Sequence, residues 1–275
     1  MLVTGGTGFL GRPLIDRLAK LNCEIRTIAR NEGKIVALRE SFPQVECVLG
    51  DISDPHYAKK ATEDVDIVFH LAAMKSVGLA EDQPYQCIMS NIMGTSNILK
   101  YADVAELVLG ISTDKAAQIR GVYGASKYIM EKLFQEFAEI NPQTQYRTVR
   151  YGNVLYSTGS VLTKWREKIE AGQELIITEP KATRFFWTVD QAIDLIFECI
   201  QNANSPTPYV PNMKGMEIWK LLEAMIAKYC PRNQKPPQVT TIGLQPGENM
   251  HETIDGTIFS NQVDQYTINE IKELI

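Results

Sequence analysis

Short apolar runs alternate with amphipathic stretches through the first half of the chain. Residues 1–4, 24–29, 45–49, 66–71, 107–111 and 146–150 each gather apolar side chains between polar or glycine residues, as buried strands do. Between these runs the apolar positions spread to helical spacing. One such stretch covers 12–22, a long one covers 84–101, and from Gly124 onward Met130, Leu133, Phe134 and Phe137 recur at the interval of a helix face. After residue 150 the rhythm changes. Residues 160–171 and 191–201 read as helices around a short strand at 174–178. A stretch holding Pro206, Pro208 and Pro211 precedes a helix over 216–229, and Pro236-Pro237 marks a loop before 239–242.

Strand and helix in alternation predict crossover connections, and hence an α/β fold: a Rossmann-type doubly wound parallel sheet. The expected division is a dinucleotide-binding domain over 1–150, with a return near 187–203, and a smaller C-terminal substrate-binding lobe over 151–275. The sequence holds no internal repeat or low-complexity segment. Sheets of this kind bind ligands beyond the carboxyl ends of their strands, and every motif below falls at such an end.

Composition narrows the partners. A chain of 275 residues with 44% hydrophobic and 22% charged residues is ordinary for a soluble globular enzyme. A net charge of −5 gives no reason to expect nucleic acid or an anionic membrane. The five cysteines (23, 47, 87, 199 and 230) lack metal-site or redox-pair spacing, which suits reduced thiols. His56, His70 and His251 are too scattered to suggest a metal site, and His70, ending an apolar run, suits a core position. No apolar run approaches the roughly 20 residues needed to span a bilayer, and no leader precedes the first strand. The expected location is therefore cytoplasmic, with an N-terminus short enough that a few residues of a longer parent could be missing.

Thr4-Gly5-Gly6-Thr7-Gly8-Phe9-Leu10-Gly11 stands between the first strand and the first helix. Gly5, Gly8 and Gly11 allow a tight turn and a close approach of pyrophosphate to the helix N-terminus. An NAD site usually places a carboxylate at the end of the second strand to hold the ribose hydroxyls. Here that position reads Ala29-Arg30-Asn31, and Arg30 suits a 2′-phosphate, so NADP is expected ahead of NAD. Asp51, followed by Ile52, is placed to accept from the adenine amine, or else to cap the next helix.

The reacting groups are packed into one segment. Ser112-Thr113-Asp114-Lys115 is followed by Tyr123-Gly-Ala-Ser-Lys127, and the tyrosine and second lysine, four apart, share a helix face. A nearby ammonium lowers a phenol's pKa, so Tyr123 can remove a hydroxyl proton while the cofactor oxidises the same carbon. Ser112 reads as a local hydrogen-bonding residue.

With these motifs in family order, together with His70-Leu71-Ala72-Ala73, the chain resembles the extended short-chain dehydrogenase/reductase family over essentially its whole length. Thr113-Asp114-Lys115 narrows the resemblance to the inverting UDP-N-acetylglucosamine 4,6-dehydratases and the related CapD-like polysaccharide biosynthesis proteins. Ala72-Ala73-Met74-Lys75, Arg150-Tyr151-Gly152-Asn153-Val154, Thr183-Arg184-Phe185 and Pro246-Gly247-Glu248 with His251-Glu252 add to it. Membrane-bound relatives carry preceding transmembrane helices and often methionine at the tyrosine position, so this chain looks like the short soluble kind.

The resemblance implies a cofactor site formed by Gly5, Thr7, Gly8, Phe9, Leu10, Gly11, Arg30, Asp51, Ile52, Ala72, Ala73, Lys75, Tyr123 and Lys127. It implies a UDP-sugar substrate held by Lys75, Asn153, Arg184 and Glu248, with His251 and Glu252 either helping or closing their loop. Tyr123 and Thr113 would serve oxidation at C4, Lys115 would take the C5 proton, and Asp114 would expel the C6 hydroxyl, with C5 inverted. Lys127 would hold the nicotinamide ribose. A homo-oligomer, dimer or hexamer, is also implied. The competing expectations are a C4 or C5 epimerase and a non-catalytic NADP-binding sensor or scaffold.

Overall fold

The computed structural model describes residues 1–245 and 247–275; Pro246, of the Pro-Gly-Glu motif, lies outside the described residues. The chain forms two compact units, one of Met1–Arg150 with Asp190–Val210, the other of Tyr151–Val189 with Pro211–Ile275.

The first unit begins β1 (Leu2–Thr4), α1 (Gly11–Ala19), β2 (Arg26–Ala29), α2 (Glu32–Ser41), β3 (Glu46–Leu49), α3 (Pro55–Thr62) and β4 (Ile67–His70). It continues through α4 (Val77–Asp82), α5 (Pro84–Ile88), α6 (Gly94–Tyr101), β5 (Leu107–Thr113), α7 (Val122–Ile140) and β6 (Gln145–Tyr151). The six strands form one sheet in the order β3-β2-β1-β4-β5-β6, with β3, β2, β1, β4 and β5 paired in parallel. Leu2, Ile28, Val48, Val68 and Val108 supply its core with Phe134 and Tyr146. Parallel strands put the ends of β1 and β5 on the same side of the sheet.

Some elements differ from the periodicity. The expected helix over 84–101 is broken by a wider, π-helical turn at Met89–Met93, which carries buried Asn91. Helices α2 and α4 are additional to the elements the periodicity predicts, and α3 is the helix that follows Asp51. In chain order the three begin at Asn31, Asp54 and Ser76, whose side chains accept from the Lys34, His56 and Leu79 amides. Asp54 therefore caps α3, so the capping alternative for Asp51 is wrong.

Chain order then gives β7 (Asn153–Val154), α8 (Val161–Glu170), β8 (Leu175–Ile177), β9 (Thr183–Trp187), α9 (Val189–Asn202), β10 (Gly215–Glu217), α10 (Ile218–Tyr229), β11 (Val239–Thr241) and α11 (Ile268–Leu274). Met216 and Glu217 belong to β10 rather than to the helix expected from 216. In the second unit β10, β9 and β7 form a three-stranded sheet, and β11 pairs with β8. Its own core holds Leu162, Trp165, Leu175, Phe186, Leu221 and Met225.

Candidate active site

The turn after β1 is built so that no side chain fits inside it. Gly5 has φ +70°, which favours glycine, and its carbonyl accepts from the Gly8 amide at 2.8 Å. A β-carbon on Gly11 would stand 2.5 Å from the Gly6 Cα, and one on Gly6 would overlap the Thr27 hydroxyl. Thr27 bonds across to the Val3 carbonyl at 2.7 Å, so the bend is held from β2. A second buried threonine joins this turn to the end of β4. Thr4 Oγ1 accepts from the Leu71 and Ala72 amides at 3.1 and 3.0 Å and lies 2.9 Å from His70 Nδ1. His70 Nε2 is 2.9 Å from Thr95 Oγ1, which donates to the Asn91 carbonyl. Thr95 must then accept from Nε2–H, and Nδ1 accepts from Thr4. Burial first, and the Lys127 charge second, push His70 down to about 3, so it is a neutral core histidine.

At the cofactor's expected far end, exposed Arg30 and half-buried Asp51 are 3.4 Å apart. The other Asp51 oxygen accepts from the Ser53 amide and hydroxyl, both at 2.9 Å. Ile52 is buried against Gly94, and its carbonyl accepts from Asn97. Ala72 and Ala73 are half-buried beside the glycine turn, while Lys75 is at the surface.

The proton-moving groups converge at the end of β5. Asp114 opens a single 3-10 turn, Asp114–Ala116, and is 0% exposed. Its Oδ1 accepts from Thr113 Oγ1 at 2.8 Å and from Lys115 Nζ at 3.1 Å, whereas its Oδ2 has no hydrogen-bond partner. The Lys115 side chain is 23% exposed. Tyr123, in the first turn of α7, is hydrogen-bonded to Thr113 and feels the charges of Lys115 and Asp114. Burial outweighs the lowering by Lys115 and Thr113, and holds the phenol up at about 12. The sequence expectation had Lys127 lowering this phenol; here the nearby ammonium that does so is Lys115. Lys127 is buried one turn further along α7, with Nζ 2.9 Å from Met130 Sδ. Desolvation pulls it down to about 8 against the opposing charge of Glu131.

Two residues that sequence reasoning missed tie these groups together. Asn91 is buried; its Oδ1 accepts from the Met74 amide at 2.7 Å, and its Nδ2 donates to the Met74 carbonyl and Ser126 Oγ, both at 2.9 Å. Ser126 in turn donates to the Tyr123 carbonyl at 2.8 Å. Glu131, also buried, accepts from Ser112 and from Arg150. Ser112 is thus a local hydrogen-bonding residue.

The second unit holds the remaining candidates. Asn153 Nδ2 donates to the Phe185 carbonyl at 3.4 Å. Arg184 is buried, with NH1 donating to the Thr183 and Met250 carbonyls and Nε 3.7 Å from Glu252. Glu252 accepts from Asn249 at 3.1 Å, while His251 Nδ1 lies 2.8 Å from Thr183 Oγ1. His251 and Glu252 therefore close their loop onto β9. Glu248 is half-buried and accepts from the Gln245 amide at 3.0 Å. Among the described residues, no group of His, Cys, Asp and Glu could hold a metal, and no helix is long and apolar enough to cross a membrane.

A six-stranded α/β sheet with a glycine turn after its first strand is the fold of the short-chain dehydrogenase-like epimerases and dehydratases. The chain belongs to the polysaccharide biosynthesis protein family, whose model matches residues 1–272. An uncharacterized membrane protein of Methanocaldococcus jannaschii is 32% identical over 284 residues, covering 100% of this chain and 84% of the relative. Two further relatives are a UDP-glucose 4-epimerase of Rickettsia bellii and an inverting UDP-N-acetylglucosamine 4,6-dehydratase of Campylobacter jejuni. Each is 32% identical, over 92% of this chain and 76% of its own length. The X-ray structure of Pen from Bacillus thuringiensis matches with a TM-score of 0.86 at 30% identity, covering 92% of this chain and 82% of that one. These relatives set the chain among the nucleotide-sugar dehydratases and epimerases.

Proposed function

We propose that the chain catalyses inverting 4,6-dehydration of UDP-N-acetylglucosamine, with NADP as cofactor. The observation that carries this reading is the buried Asp114, bonded by Lys115 and Thr113 beside Tyr123. The glycine turn fits a dinucleotide, since a β-carbon is excluded at Gly6 and Gly11 and backbone is left to approach pyrophosphate. When bound, the dinucleotide supplies oxidation at C4, which makes the C5 hydrogen acidic, and the matching reduction at C6.

Tyr123 accepts the C4 hydroxyl proton, and Thr113 holds the oxygen. Its high pKa makes Tyr123 a poor base alone; the Lys115 ammonium of the ion-paired form and the Thr113 hydrogen bond favour the phenolate. Lys115 and Asp114 then act as one unit. An ion pair and an amine with a carboxylic acid differ by one proton moved across the 3.1 Å bond between Nζ and Oδ1. The elimination draws on the second of these, the amine with the carboxylic acid. In that form Lys115 takes the C5 proton while Asp114 gives its own to the departing C6 hydroxyl, which leaves as water. The pair ends as ammonium and carboxylate; a proton from solvent reaches C5 from the opposite face, which gives inversion, and the proton that Tyr123 took is returned to solvent.

The residues assigned to UDP-sugar binding are Asn153, Arg184 and Glu248, with Lys75 a further candidate. Self-association goes with the same reading: α5 and α7, which pack together, leave Tyr85, Ile88, Tyr128 and Ile129 exposed. A C4 epimerase is the second reading, favoured by the equal identity to the Rickettsia bellii epimerase. An epimerase has no elimination for Asp114 to assist. Incubation with UDP-N-acetylglucosamine and NADP+ in heavy water, followed by NMR and mass spectrometry, separates the two. Loss of one water with deuterium at C5 and L-configured couplings supports the proposal. Water loss with C5 retained removes the inversion, and an isomer of unchanged composition means an epimerase.

A further inference from the structure

A buried carboxylate outside the reacting turn joins the elements that carry it. Tyr123, Lys127 and Glu131 follow one another at four-residue intervals on α7, hence along one face. Glu131 Oε1 accepts from Ser112 Oγ at 2.5 Å and from Arg150 Nε at 2.7 Å, and Oε2 accepts from Arg150 NH2 at 2.6 Å. Ser112 precedes Thr113 at the end of β5, and Arg150 lies near the end of β6. One side chain therefore fastens a helix to two strand ends. Burying an ion pair costs desolvation that its own attraction barely offsets, and apolar residues of equal volume usually stabilise as well or better. Stability alone gives little reason for Glu131, whereas its position does.

We propose that Glu131, acting through Ser112 and Arg150, is a positioning residue: it holds residues 112–114 against the face bearing Tyr123 and Lys127, and it keeps Lys127 charged. The proposal rests on the roles given above to Tyr123 and Lys127. Besides Glu131, the groups acting on Lys127 are Cys87 from α5 and, through mutual repulsion when protonated, His70 from β4. Asp114 and Lys115 on the 3-10 turn act on Tyr123. The other titratable groups on elements packed against α7 are Glu81, which accepts from the Val122 amide, and Asp82 on α4, Tyr85 on α5, and Lys100 with Tyr101 on α6. Glu131 is the leading influence opposing the burial of Lys127. Neutralising it lowers the pH at which Lys127 loses its proton, so the alkaline limb of activity moves toward acid.

The test is titration of Lys127 by NMR of the 13Cε-lysine-labelled chain, its signal identified by loss in Lys127→Met. No substrate is needed, so failure here is separable from failure of the dehydratase reading. In Glu131→Gln the Lys127 midpoint falls by about one pH unit, and activity at pH 8 falls about fivefold relative to its value at pH 6.5. Because this variant leaves the Arg150 cation without its counter-charge, Glu131→Gln with Arg150→Gln is the companion: it removes both charges, and the lowered midpoint persists. Ser112→Ala leaves the midpoint in place and lowers kcat roughly ten- to hundredfold by loosening residues 112–114. An unchanged Lys127 midpoint in the folded double variant overturns the electrostatic role, whatever substrate the enzyme takes. Unchanged kcat in Ser112→Ala overturns the fastening role.

Discussion

Gly124 packs so closely against the carbonyl oxygen of Lys115 that a β-carbon at position 124 would overlap it. This contact lets the first turn of α7 lie directly on the 3-10 turn, and brings Tyr123 within the influence of Lys115 and Thr113. Gly124→Ala is expected to force the two apart. Overpacking of this kind costs about 1–3 kcal/mol, and a displacement near 1 Å at reacting groups costs about a hundredfold in rate. Thermal unfolding together with kcat checks this. A variant with lowered Tm and intact kcat would show that the close approach serves only packing.

Asp114→Asn keeps the volume of the buried side chain but removes its ability to pass a proton. Elimination is expected to fall by about 10²–10⁴, while transient oxidation at C4, seen as cofactor reduction at 340 nm in a single turnover, survives. Loss of both steps together would mean that Asp114 holds the site in shape and takes no part in expelling the hydroxyl.

His70 gives the fold a pH dependence of known sign. Its folded-state pKa of about 3 lies below the ordinary 6.5, because the buried ring is kept neutral between Thr4 and Thr95. Between those values the unfolded chain binds a proton that the folded one refuses, so stability rises with pH and is lost on acidification. The loss is about 1.4 kcal/mol per pH unit, or about 2 kcal/mol between pH 6.5 and 5. Denaturant unfolding at those two pH values should show it, and the folded variant His70→Gln should lose that slope. An equal slope in the variant would assign the acid sensitivity elsewhere.

The same residues show what a linear reading can reach. Thr113, Asp114, Lys115, Tyr123 and Lys127 could be singled out because they fall within one short segment, at a strand end and a helix start, and match motifs of the family the chain resembles. The sheet was legible because each strand is a dense apolar run, whereas α2 carried a clear cap at Asn31 in a stretch whose weak apolar periodicity hid it. Glu131 could not be found this way. Between Met130 and Lys132 it reads as a solvated acid, and its partners Ser112 and Arg150 each stand nineteen residues away. Asn91 was hidden by the π-helical turn, which rotates a polar residue inward against the ordinary helical phase.

Arg30 tests the cofactor. Its ion pair with Asp51 joins two side chains that are 61% and 37% exposed, so it contributes little to stability. Arg30→Ala should therefore leave Tm unchanged. A hydrogen bond from a charged donor to phosphate contributes about 1.5–3 kcal/mol, so the KM for NADP should rise roughly ten- to hundredfold while that for NAD stays near its original value. The split between the two cofactors is what matters, because general loosening of the β2 end would raise both. If both rise equally, Arg30 supports the loop through Asp51; if neither moves, the 2′-phosphate is not held at this position and NAD becomes the better assignment.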